Sequence, residues 1–239
     1  MFDMIAFDAD DTLWHNESLY TTAQARFRQI LAPYCCAERA DQKLYETEIR
    51  NLVCYGYGIK AFALSMIEAS IELSNGRITS QEIHQLLDLA KGMLAADVQL
   101  VEHAQSTLCR LSASYPLMII TKGDLRDQEA KVERSGLRPY FRYIEIVADK
   151  TREAYAAILA RHNLAPERFL MVGNSLRSDI LPVVALGGRA VHIPYHTTWA
   201  HEHVIPSEAE RQGYIELEHL GLLPELVEEL AAGRLSWLA

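Results

Sequence analysis

Residues 4–7 (Met4, Ile5, Ala6 and Phe7) form an apolar run with no polar position inside it. A strand with one wet face alternates apolar and polar side chains. An unbroken short run instead fits a strand buried on both faces, as in a parallel sheet covered by helices on each side. Similar runs recur at 117–120, 144–147 and 169–172, the second of them interrupted by Glu145, and a fifth candidate at 190–193 contains His192. Helical patterns separate the later runs. Residues 124–135 stop at Gly136, and 151–162 carry Ala154, Ile158 and Leu159 on one face. Residues 178–186 end at Gly187 and Gly188, and Pro182 must sit near the first turn of that helix or kink it. Strands alternating with helices predict an α/β fold, a doubly wound parallel sheet with a Rossmann-like core.

Between the first two runs the pattern changes. Residues 17–32, 38–53, 59–73 and 80–94 read as helices, broken at Pro33, Gly56, Gly58, Asn75 and Gly76. Thr79 followed by Glu82 is a helix-start signature. The expectation is an all-α cap domain at 15–94, inserted into a core of residues 1–14 and 95–239 and lying over the carboxyl end of the first strand. A helix over 98–113 leads back to the sheet, and a last one covers 222–230.

Composition narrows the function. Of 239 residues 49% are hydrophobic, enough for a sizeable core. The net charge is -9 with no strongly basic segment, which argues against nucleic acid or an anionic membrane as a partner. Cys35, Cys36, Cys54 and Cys109 show no CxxC spacing and read as reduced thiols, so a cytoplasmic protein is expected. The first residues carry charge within the apolar run and no basic flank, unlike a signal peptide. No apolar stretch approaches the length of a membrane span.

In open parallel sheets ligands bind at the carboxyl ends of the strands. Asp8, Asp10, Asp11 and Thr12 follow the first run. Thr121, Lys122, Gly123 and Asp124 follow the second. Asp149 and Lys150 follow the third, and Gly173, Asn174, Ser175, Ser178 and Asp179 the fourth. One sheet edge thus gathers carboxylates, hydroxyls and an ammonium. Carboxylates as crowded as those at 8–11 repel one another: either a cation belongs beside them or the stretch is an acidic turn on the surface, and the other patches on the same edge are more than a surface turn explains.

These patches resemble the four motifs of the haloacid dehalogenase-like superfamily: FDADDT, IITKG, Lys150 and GNSLRSD, in order, with a helical insertion between the first two. The resemblance implies a Mg²⁺-dependent phosphatase acting on a small phosphorylated metabolite through an aspartyl-phosphate. Asp8 would be the nucleophile, and Asp10 the general acid and then base. Asp8, the backbone carbonyl of Asp10 and Asp179 would hold Mg²⁺, with Asn174 a ligand directly or through water. Thr121 and Lys150 would bind the phosphoryl group, joined by backbone N–H groups of Ala9 and of Lys122 or Gly123. Hard oxygen donors suit Mg²⁺, which neutralises phosphate charge. Many family members have Asp where Asn174 stands, so a weaker metal site is expected. Asp11 stands where Gly is frequent, and is expected to face solvent or a helix start. The presence of Asp10 favours phosphate over halide chemistry. A phosphomutase, or a binding protein that keeps the fold without turnover, is the alternative.

Specificity is expected from the cap, where Tyr55, Tyr57 and Lys60 crowd a glycine-broken turn. Trp14, His15 and Asn16 either line the entrance or pack. The His-rich stretch 192–203 lacks metal-ligand spacing and reads as a loop near the active edge.

Overall fold

The computed structural model describes residues 2–197, 199–202, 204–207, 211 and 213–235. Among the described residues six parallel strands form one sheet: β1 (Met4–Phe7), β2 (Leu117–Lys122), β3 (Tyr143–Val147), β4 (Phe169–Gly173), β5 (Arg189–His192) and β6 (Tyr214–Glu216), in the order β3-β2-β1-β4-β5-β6. The chain winds outward from β1 through β2 to β3, then returns to the other side of β1 and continues from β4 to β6. The winding reverses between β1 and β4, where an open sheet of this type forms its crevice. β6 has three residues, too short a run to be recognised in the sequence.

Alternate side chains of β1, β2 and β4 supply the two cores. Ile5, Phe7, Ile119, Leu170 and Val172 pack with Leu108 and Leu111 of α5 (Ala104–Ser112), Val132 of α6 (Leu125–Arg134), and Leu223 and Val227 of α9 (Leu223–Ala231). Met4, Ala6, Met118, Ile120, Phe169 and Met171 pack with Tyr155, Ile158 and Leu159 of α7 (Arg152–Arg161) and Val183 of α8 (Leu181–Val184). The Phe7 ring meets Phe141 edge-on, with centroids 6.2 Å apart.

Chain contacts divide the protein into two compact units. One comprises Met1–Glu17, Val98–Lys122 and Gln128–Ala239, and the other Ser18–Asp97 with Gly123–Asp127. The change-over falls after Glu17 and Asp97, later than the expected 14 and 94, and a short piece after β2 groups with the helices. The helical unit is built from α1 (Glu17–Leu31), α2 (Ala37–Tyr55), α3 (Ile59–Leu73) and α4 (Ser80–Ala95). Phe27, Leu31, Leu44, Phe62, Met66 and Leu86 form its core. Thr79 Oγ1 accepts from Glu82 N (3.2 Å) and Glu82 Oε2 accepts from Thr79 N (2.7 Å), closing a capping box at the start of α4.

Two expected helices differ. Residues 98–103 are not helical. His15 N donates to Gln99 O (2.9 Å) and Val101 N to Leu13 O (3.0 Å), so the returning chain pairs with the departing one, and α5 starts only after His103 at φ 67°. That pairing offers the backbone partners that a local helix would otherwise supply. The segment expected as one helix at 178–186 is a turn of π-helix at Leu176–Ile180 followed by α8, with Pro182 in the first turn of α8. Among the described residues no helix is long and apolar enough to cross a membrane. Phe7→Ala is expected to destabilise the protein by about 3–5 kcal/mol through the cavity it leaves, read from urea unfolding.

Candidate active site

The carboxyl ends of β1 and β4 lie side by side, and Asp8 N donates to Val172 O (2.8 Å), which carries the pairing one residue past β1. The Asp8 carboxylate is therefore fixed on the sheet edge and buried. Lys150, which follows β3, places its ammonium between two carboxylates. It donates to Asp8 Oδ1 and to Asp179 Oδ1 (2.7 Å). Thr12 Oγ1 lies 3.0 Å from Asp8 Oδ2 and 3.3 Å from Asn174 Oδ1. Asp8, Asp179 and Lys150 form one buried group with the partly buried Asn174 beside it, each of the four named from the sequence.

The loop after β4 has specific backbone needs. A Cβ at Gly173 would collide with the Asp179 side chain, so only glycine lets the strand end pass so close to that carboxylate. Ser175 N donates to Asp179 Oδ2 (3.0 Å), and Ser175 Oγ accepts from Ser178 N (3.1 Å). The π-helical turn fits the four residues that separate Asn174 from Asp179, and such turns are frequent at functional sites.

Burial and the neighbouring Asp179 push Asp8 up to about 7, against the pull of Lys150. Burial works against the Lys150 charge, but Asp179 and Asp8 outweigh it and hold the ammonium protonated, with its pKa raised. Burial, then Asp179 and Asp8, raise Tyr155 well above its usual range, and its hydroxyl donates to Ser178 O (3.1 Å).

A second cluster surrounds Asp10. Lys131 Nζ donates to both carboxylate oxygens (2.8 and 2.9 Å), Trp14 Nε1 to Oδ1 (2.7 Å), and Gln128 Nε2 lies 3.2 Å from Oδ2. The same Gln128 nitrogen contacts Thr121 Oγ1 (2.6 Å) and Lys122 O (3.0 Å), so Thr121 joins Asp10 through this amide. Trp14 is buried and serves as a donor to Asp10. Asp11 sits at φ 62°, a backbone that Asp tolerates better than most residues. Its carboxylate accepts from Asn16 N (2.8 Å) and Glu17 N (3.0 Å), capping the start of α1.

A third cluster lies behind the loop after β4. Glu202 accepts from Lys122 Nζ (2.5 Å), Ser175 Oγ (2.5 Å) and Ser178 Oγ (2.6 Å). Burial opposes its charge, yet Lys122 and the two hydroxyls hold Glu202 at about 2. Nearby, His192 bridges Glu216 Oε2 (2.9 Å) and Asn174 O (3.1 Å), and His15 Nδ1 meets Tyr195 OH (2.6 Å). The stretch after β5 thus reaches the edge through a glutamate and a tyrosine. His203 lies outside the described residues.

Ala9 is fully buried, and its carbonyl accepts from Thr12, Leu13 and Trp14 N. Gly123, at φ 137°, opens the short piece that groups with the helical unit. In that unit Tyr55 is half exposed, Tyr57 partly buried, and Lys60 Nζ donates to Asp124 Oδ1 (2.8 Å).

Lys131, Gln128 and Glu202 were not anticipated. The first two lie three positions apart on a strongly polar helix, where the ordinary expectation is a solvated face. That i, i+3 spacing was the available signal. Glu202 is an acidic residue among histidines, with no motif around it.

Among the described residues no group of three His, Cys, Asp or Glu side chains is placed to hold a metal. A small divalent cation needs fewer. The carboxylates of Asp8 and Asp179 reach one ammonium, and the Asn174 amide oxygen lies on the same edge, giving hard oxygen donors that fit such an ion.

The haloacid dehalogenase-like hydrolase family model matches residues 2–187. A crystal structure of a haloacid dehalogenase-like family hydrolase from Xanthomonas campestris is similar at 37% identity and a TM-score of 0.86, over 98% of this chain and 94% of that one. The chain belongs to the haloacid dehalogenase-like hydrolases. A 2-haloacid dehalogenase from Pseudomonas syringae is 24% identical with a TM-score of 0.64, over 96% of this chain and 100% of that one. The HAD-hydrolase YfnB from Bacillus subtilis, bound to magnesium, is 17% identical with a TM-score of 0.69, over 95% and 99%. No curated protein matches the chain.

Lys150→Met leaves two buried carboxylates facing each other and is expected to destabilise the protein by about 3–5 kcal/mol near neutral pH, read from urea unfolding. Glu202 has a folded pKa of about 2 against an ordinary 4.5, so its stabilising contribution is complete above 4.5 and disappears as pH falls through about 2. The stability gap between the wild type and Glu202→Gln is expected to shrink by about 3 kcal/mol over that window, measured by denaturation at a series of pH values.

Proposed function

We propose that this hydrolase is a Mg²⁺-dependent phosphatase that removes the phosphoryl group from small phosphorylated metabolites by way of an aspartyl-phosphate. The observation that carries the reading is Lys150 Nζ held against both Asp8 and Asp179 where the sheet reverses, with a second acid, Asp10, two residues after Asp8. The magnesium named for the YfnB structure supports it by likeness of fold.

Asp8, Asp179 and Asn174 would hold the cation, which supplies positive charge to the phosphoryl oxygens and eases attack by an anion. An Asp8 carboxylate oxygen attacks phosphorus while the bond to the leaving oxygen breaks. Lys150 keeps Asp8 oriented and adds a positive charge beside the oxygens. Asp10 gives a proton to the departing alkoxide. It then takes one from a water that attacks the phosphorus, releasing phosphate and restoring the Asp8 carboxylate. Thr121, through Gln128, couples the end of β2 to Asp10. Ala9 and Lys122 or Gly123 offer backbone N–H groups to the phosphate.

A second reading, hydrolytic dehalogenation, is favoured by one observation: the Asp10 carboxylate is already engaged by Lys131 and Trp14. In that chemistry Asp8 displaces halide from carbon and water hydrolyses the resulting ester, with no proton needed by the leaving halide.

The test is a set of phosphorylated sugars, nucleotides and short organic acids with p-nitrophenyl phosphate, in MgCl₂ or EDTA, beside 2-chloropropionate. Phosphate release that needs Mg²⁺, and that falls at least about 10³-fold in Asp8→Asn while the fold persists, is the expected result. Halide release without phosphate release replaces this reading with the second. An isomeric phosphate ester in place of free phosphate makes the enzyme a phosphomutase.

A further inference from the structure

Glu202 is the buried acceptor for three donors from two different strand ends. Lys122, the last residue of β2, gives it an N–H, and Ser175 and Ser178, from the loop after β4, each give it an O–H. The pattern leaves little choice of residue. Ser175 Oγ accepts from Ser178 N and so sends its own hydrogen to Glu202. Ser178 Oγ accepts from Lys122 Nζ (2.8 Å) and does the same. Two oxygens and no hydrogen are required at position 202, which a carboxylate provides and an amide does not. Arg177 NH1, from the π-helical turn, donates to His201 O (2.6 Å) and fastens the neighbouring residue to that turn.

The two serines lie between the candidate cation ligands in the chain, Ser175 just before the π-helical turn and Ser178 within it. Asn174 directly precedes Ser175, and Asp179 directly follows Ser178. Ser175 also donates its backbone N–H to Asp179 Oδ2. We propose that Glu202 is a positioning residue for the cation site: by holding Ser175 and Ser178 together and engaging Lys122, it sets the placement of Asn174 and Asp179 while touching neither. Groups that orient ligands in this way strongly affect metal affinity.

The inference rests on the cation reading given above, and its test separates the two. MgCl₂ is titrated into wild-type protein, Glu202→Gln and the double variant Lys122→Met/Glu202→Gln by calorimetry, and melting temperatures are recorded. Glu202→Gln is expected to bind Mg²⁺ about 10- to 100-fold more weakly than the wild type. The double variant removes the ammonium with the carboxylate. It is expected to recover melting temperature but not Mg²⁺ affinity, a split that a merely structural role would not produce. If Glu202→Gln fails to fold, the double variant carries the comparison with the wild type. Affinity within about twofold of wild type in Glu202→Gln overturns the inference and leaves the cation reading standing. Recovery of affinity in the double variant also overturns it, because Glu202 would then act only by offsetting the Lys122 charge. Wild-type protein that takes up no Mg²⁺ sinks the cation reading and the inference with it.

Discussion

The ammonium of Lys150 between Asp8 and Asp179 is the interaction on which the rest of the site depends. Two buried carboxylates on adjacent strand ends repel each other, and both lose hydration. One buried cation reaching both makes the arrangement tenable. Lys150 arrives from the end of β3, Asp8 from β1 and Asp179 from beyond β4, so the contact exists only when three strands are correctly aligned. The charge balance of the site and the registration of the sheet are in this sense one constraint.

Around that centre the protein surrounds each carboxylate differently. Asp8 meets an ammonium and a threonine hydroxyl. Asp10 meets an ammonium, an indole and an amide. Asp11 meets the backbone N–H groups at a helix start. Three acids within four positions thus receive three environments. Asp11 serves the helix start, and the other two environments suit the attack and proton handling proposed above for Asp8 and Asp10. Asp11 shows why the crowding at 8–11 is less severe than the bare sequence suggests, since one of the three charges is spent on the helix start.

The sheet was largely legible because its central strands β1 and β4, and most of β2, are buried and so carry apolar runs. Met4–Phe7 is the clearest of them. The four motif patches could be located because they follow those runs directly. β6 escaped notice because Tyr214–Glu216 is short and ends in a charge. The helix expected from 98 does not form before residue 104 because the partners of that segment are residues 13–15, far away in sequence, and amphipathic spacing says nothing of a distant strand-like pairing. Lys131 and Glu202 were hidden for a related reason. A charged residue on a polar helix or in a loop carries no mark of burial until the fold supplies the carboxylate or hydroxyls that meet it.

The π-helical turn at Leu176–Ile180 has a consequence for how this chain can vary. Surface loops generally tolerate gain or loss of a residue, but this turn is a wound segment with one residue more than an α-helical turn would hold. Deleting one position there would let it rewind as ordinary helix and swing everything downstream by about 100° around the axis. Asp179 would leave the sheet edge, although every functional side chain would still be present in the chain. Relatives that keep the chemistry are therefore expected to keep this spacing, or to compensate for a changed one within the same turn.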